Sequence, residues 1–167
     1  MTRRAFTLVE VLIVVVILGI LAAIVLPQFS TASATARASM LADDLRILRT
    51  QVMVFKGQHK GVSPGYPKCD PNEPATEEWF INHLTMSSNA NGEVMPPGTP
   101  GYKYGPYMLR MVTDPVNGKS SVQVIADKEP LPKTPDDSHG WIYQPSTGMV
   151  KADAGGADDT GKAYIDY

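Results

Sequence analysis

A chain of 167 residues with a net charge of −2 and a pI near 5.9 has no electrostatic footprint for nucleic acid. Its single cysteine, Cys69, excludes an internal disulfide, a zinc ribbon and a CxxC redox pair. Apolar residues make up 43% of the chain, but many crowd the N-terminal stretch, which leaves room for one modest globular domain behind it.

That stretch reads MTRRAFTLVEVLIVVVILGILAAIVLPQFS. Val11 to Leu26 carries no charge, and with Phe6–Val9 it approaches the ~20 apolar residues that span a bilayer core. Arg3 and Arg4 ahead of it orient a single span with the N-terminus in the cytoplasm and the bulk outside. Glu10 is the anomaly. A carboxylate at a hydrocarbon border costs about 2.5–3.5 kcal/mol on insertion scales, so something must offset it. A secretory signal peptide opens in a similar way, and Ala34-Thr35-Ala36 would then be the cleavage site, leaving Arg37 as the new N-terminus. The length of the apolar core and the position of Glu10 stand against that alternative.

So does the continuation. Leu41, Leu45, Leu48, Val52 and Phe55 recur at alternating steps of four and three, one apolar stripe on a helix. Asp43, Asp44, Arg46 and Arg49 lie off the stripe and are expected to face water. No Gly or Pro interrupts Ser30 to Lys56, and Gly57 supplies a stop. The pattern predicts one helix through the membrane, perturbed at Pro27 and emerging amphipathic.

RRA-FTLVE resembles the cleavage signal of type IV prepilins and of the pseudopilins of type II secretion systems. The resemblance implies a leader, residues 1–5, cut between Ala5 and Phe6 by a prepilin peptidase, with N-methylation of Phe6. Ala5 stands where the family usually has Gly. It further implies a transmembrane and filament-core helix over 6–29, an amphipathic helix over 30–57 and an extracytoplasmic globular domain over 58–167. In such proteins the Glu10 carboxylate pairs with the free amine at Phe6 of a neighbouring subunit, a polar pair that sets register in an apolar bundle. Gly19 and Pro27 would bracket a stretch where the helix breaks or melts in the filament.

After Gly57 the chain turns to loops and short strands. Residues 61–75 are Pro-rich and irregular, Thr76–Leu84 predicts a short helix capped by Thr76, and 87–101 reads as loop. Tyr107–Val112 and Ser121–Ile125 are candidate strands around the Asp114-Pro115 and Asn117-Gly118 turn residues. Trp141–Tyr143 and Met149–Ala152 flank QPSTG as a hairpin. The expected fold is α+β: a long N-terminal helix, half transmembrane and half amphipathic, packed on a small antiparallel sheet, as in type IV pilins. GPYMLRMVTDPVNGKSSVQVI and GWIYQPSTGMVKAD resemble the C-terminal part of G-type, or major, pseudopilins. These commonly hold calcium near the C-terminus where type IV pilins close a disulfide, and one cysteine cannot form one. Asp153, Asp158 and Asp159 are candidate calcium ligands on glycine-rich backbone, against the alternative of a solvated acidic tail.

No HExxH, GxSxG or phosphate-binding glycine loop is present, and His59, His83 and His139 are scattered. Ser138-His139 beside Asp136 and Asp137 reads as a polar turn, and Trp79, Trp141 and the tyrosines as core. The expectation is a structural subunit and not an enzyme: the major pseudopilin of a type II secretion system, anchored in the bacterial inner membrane with its globular domain in the periplasm. Its partners would be copies of itself, prepilin peptidase, the inner-membrane assembly platform, minor pseudopilins and membrane lipid. A type IV pilin for adhesion, motility or DNA uptake is the near alternative, and a Sec-exported binding protein the distant one.

Overall fold

The stripe Leu41, Leu45, Leu48, Val52 and Phe55 is the surface around which the rest of the chain folds, each of the five at most 1% exposed. It lies on α1 (Leu8–Gln58), a helix of 51 residues and about 76 Å. The computed structural model describes residues 7–167, for 26–31 the backbone only. Ala5 and Phe6, to which cleavage, methylation and half of the register pair were assigned, lie outside the described residues. The backbone is helical through Gly19 and Pro27. The break expected there is therefore not a feature of the single subunit: proline withholds one helical hydrogen bond, and a helix of this length continues past it. Melting on assembly concerns the filament. At the far end His59 closes α1 by donating its amide to Phe55 O (3.0 Å).

Residues 61–75 run as irregular chain with one 3-10 turn, Pro67–Cys69. Thr76 then caps α2 (Glu77–Thr85), its hydroxyl accepting from Trp79 N at 3.2 Å. Phe80, His83 and Leu84 are the buried face of α2. The expected loop 87–101 contains a minimal antiparallel pair, β1 (Ser87–Ser88) and β2 (Val94–Met95).

The main sheet is β3 (Val122–Val124), β4 (Trp141–Gln144) and β5 (Met149–Ala152), in that order. β4 and β5 form the expected antiparallel hairpin, Trp141 opposite Ala152 and Gln144 opposite Met149. Gly148 at φ +72° makes the turn, a conformation that other residues adopt at a cost. β3 differs from expectation in direction, running parallel to β4 with Val122 opposite Trp141. The connection over residues 125–140 is long enough to bring the chain back to the starting end, which a tight turn could not do.

All four residues of β4 are buried because both faces of the strand are covered. Trp141 and Tyr143 point with Val150 and Ala152 into the core under α1 and α2. Ile142 points the other way, against Ile125 and Ile165. This alternation follows from the two-residue period of a strand.

The candidate strand 107–112 does not form. The amides of Tyr107 and Met108 both donate to Leu84 O (2.9 and 3.0 Å), closing the C-terminal end of α2, and Val112 O accepts from the Trp141 indole at 2.9 Å. Backbone groups spent on a helix end and an indole are not available for a ladder.

Candidate assembly interface

Thr7 and Glu10 close the N-terminus of α1 reciprocally. Glu10 N donates to Thr7 Oγ1 at 3.2 Å, while Thr7 N donates to the Glu10 carboxylate at 3.4 Å. This capping box satisfies helix-end amides that would otherwise be orphaned at the border of an apolar segment. Sequence reasoning treated Glu10 as a charge and passed over Thr7, although T-x-x-E ahead of an apolar run is the signature of such a box. The carboxylate is thereby held at the N-terminal end of α1.

Behind the cap, Leu8 to Val25 forms an 18-residue window of mean hydropathy 3.2 with no residue buried. Its large apolar side chains are between 42% (Val25) and 83% (Leu8) exposed. A face of this size is left bare in water only at the price of aggregation, so it demands lipid or other helices.

The second half of α1 is anchored through Arg49, expected to face water. The guanidinium donates to Val150 O (3.0 and 2.8 Å) and to the main-chain oxygen of Tyr167 (2.8 Å), clamping β5 and the C-terminal turn to the helix. Burial pushes its pKa below the ordinary arginine value. Asp44 is likewise half-buried, its pKa raised by desolvation and then by Asp43.

Two histidines complete the end of the core. The Phe55 ring stacks on His59 (centroids 3.9 Å apart) and packs against His83 (4.6 Å). His59 continues the α1 stripe by one further turn, and His83 sits on the buried face of α2, so both positions were legible as core. His83 Nδ1 accepts from Gly65 N (3.1 Å), which makes Nε2 the donor to Gly92 O (3.0 Å). Desolvation, opposed by the bond to Gly92, lowers its pKa to about 4.

The calcium candidates are not brought together. Asp153 is buried and holds the 136–139 loop, accepting from Asp136 N and His139 N, both at 2.9 Å. Asp158 accepts from Thr160 N (2.8 Å), Lys162 N (2.9 Å) and the Tyr167 hydroxyl, and these bonds, that from Tyr167 foremost, depress its pKa. Asp159 accepts from the Thr35 hydroxyl at 2.9 Å, tying the tail to α1. Among the described residues no three His, Cys, Asp or Glu side chains share a point where an ion could sit. In this arrangement the three carboxylates do not converge on one point. The Ser138 hydroxyl lies 2.7 Å from His139 Nδ1 and 3.4 Å from the Asp153 carboxylate, all within the turn that Asp153 caps. Cys69 is half-buried, and desolvation pushes its thiol up to about 11, so it stays protonated at neutral pH.

No curated protein and no solved structure matches the chain. Residues 1–26 match the model of the prokaryotic N-terminal methylation motif, which is found in type IV pilins and pseudopilins and is structural, not enzymatic. The match covers this N-terminal stretch alone; there the motif implies processing by a prepilin peptidase, and the apolar helix fits membrane anchoring and assembly with other pilin-type subunits.

Proposed function

We propose that this protein is the major pseudopilin of a type II secretion system, a structural subunit that polymerises with itself into a pilus-like periplasmic filament. The observation that carries the proposal is the apolar segment Leu8–Val25, none of it buried, with one carboxylate, Glu10, held at its N-terminal edge inside the methylation motif. Before assembly the segment resides in the inner membrane, N-terminus inside. Afterwards the same face packs on neighbouring helices, and Glu10 meets the amine that cleavage creates on Phe6. The lone cysteine favours a pseudopilin over a disulfide-closed type IV pilin. Ala34-Thr35-Ala36 lies within continuous helix, which speaks against a Sec cut there.

N-terminal mass spectrometry of the membrane fraction, after co-expression with a prepilin peptidase, tests the reading. The expected mature chain begins at methylated Phe6, and Ala5→Gly is cut at least as well. A chain beginning at Arg37 rejects the filament reading in favour of a secretory one.

Calcium at the C-terminal loop is a separate proposal, supported by the resemblance to major pseudopilins and by the acidic run 153–159. Binding would require Asp158 to leave Tyr167 and Asp159 to leave Thr35. An ion held only by the folded state at one hundred times its Kd adds about 2.7 kcal/mol. The melting temperature should then rise by several degrees in millimolar calcium relative to chelator, and equal melting in the two rejects the site.

A further inference from the structure

The two flanks of α1 beside the buried stripe carry matching patterns of opposite charge. On one flank Met40 is 58% exposed, with Asp43 and Asp44 one turn further along the helix. On the other, Val52 and Met53 form the floor of a groove of about 680 Å³ between α1 and β5, completed by Met149 and rimmed by Lys56 and Lys151. Met53 is 65% and Met149 44% exposed. Lys56 follows the groove floor at the interval by which Asp43 and Asp44 follow Met40. At 100° per residue the two patterns face away from each other, roughly 100° to either side of the buried stripe. They cannot meet within one chain.

We infer that the Met40–Asp43–Asp44 flank of one subunit docks in the Val52–Met53–Met149 groove of a second copy, with the carboxylates against Lys56. The inference rests on the filament reading and adds to it a contact outside the apolar segment. Because both patterns run from apolar to charged toward the C-terminus, they superpose only when the two helices are parallel. Matching Met40 to the level of residues 52–53 staggers the copies by about 12 residues, roughly 18 Å. The contact is heterologous, each copy offering a different surface, so it propagates along a filament instead of closing a dimer. Asp43 is already engaged only at the surface, with Arg46 (3.1 Å), whereas Lys151, largely covered, reaches Asp166 at 3.9 Å. An exposed pair such as Asp43–Arg46 exchanges at little cost.

Disulfide trapping in assembled filaments of the full chain tests the register. In a Cys69→Ser background, Met40→Cys with Met149→Cys should give an oxidant-dependent ladder of multimers, while Met40→Cys with Leu109→Cys, at a 97% exposed position, should not. Asp43→Lys should lower the ladder at least fivefold, and adding Lys56→Asp should restore it. Asp43 is a surface residue, so the first change leaves the fold intact. Filaments that form normally but give no more ladder from the Met40/Met149 pair than from the control overturn the docking while leaving the filament reading in place. A processed wild-type chain that never polymerises overturns both.

Discussion

Glu10→Ala is expected to insert and be cleaved like the unaltered chain but to yield more than tenfold fewer filaments. Deleting a carboxylate makes residence in lipid easier, so neither insertion nor processing should suffer. Assembly is different on the proposed reading, because the amine on Phe6 of a neighbour would be left without its counter-charge in an apolar bundle. Losing one partner of a buried pair costs about 3–5 kcal/mol, and about 1.4 kcal/mol already changes an equilibrium tenfold. The capping box offers a rival explanation, since Glu10 also accepts from Thr7 N. Glu10→Gln separates the two: the amide oxygen can still cap the helix but carries no charge. Filament counts by electron microscopy should stay low in both variants. Recovery with Gln would assign Glu10 to the helix cap, and normal counts with Ala would remove it from assembly altogether.

Acidification should unfold the globular half earlier than its carboxylates alone would require. His83 is held neutral between Gly65 N and Gly92 O, with its pKa lowered to about 4 from an ordinary value of 6.5. The unfolded chain therefore takes up this proton first. Stability from the site is complete above about pH 6.5 and is lost as pH falls toward 4, at about 1.4 kcal/mol per pH unit. The loss reaches about 2 kcal/mol at pH 5 and about 3 kcal/mol at pH 4. Protonation would also place two N–H donors face to face at Gly65. Trp79 packs against the same ring, centroids 5.3 Å apart, so tryptophan fluorescence in denaturant titrations reports the transition. His83→Gln should be less stable at pH 7 but flat between pH 6.5 and 5. An unchanged slope in that variant would place the acid sensitivity elsewhere.

Sequence alone determined those parts of the protein whose cause is local. The step of three and four from Leu41 to Phe55 dictates which side of α1 is buried whatever it packs against. The hydroxyl of Thr76 starts α2 within one turn, QPSTG folds the β4–β5 hairpin, and the uncharged run after Glu10 demands lipid or a bundle. The T-x-x-E cap and the two core histidines were equally local, at positions that continue patterns already visible. Tertiary structure decided whatever depended on competition between distant groups. Tyr107–Val112 has the residues of a strand, but the open end of α2 and the indole of Trp141 claim its backbone first. Arg49 has the charge of a surface residue, yet the bare carbonyls of Val150 and Tyr167 lie within its reach. The direction of β3 depends on where a long connection returns, which no local pattern encodes. Asp153, Asp158 and Asp159 are close in sequence, but one is turned inward to the 136–139 loop, one into its own turn and one toward α1. A carboxylate goes to the nearest unsatisfied donor, and only the folded chain determines which donor that is.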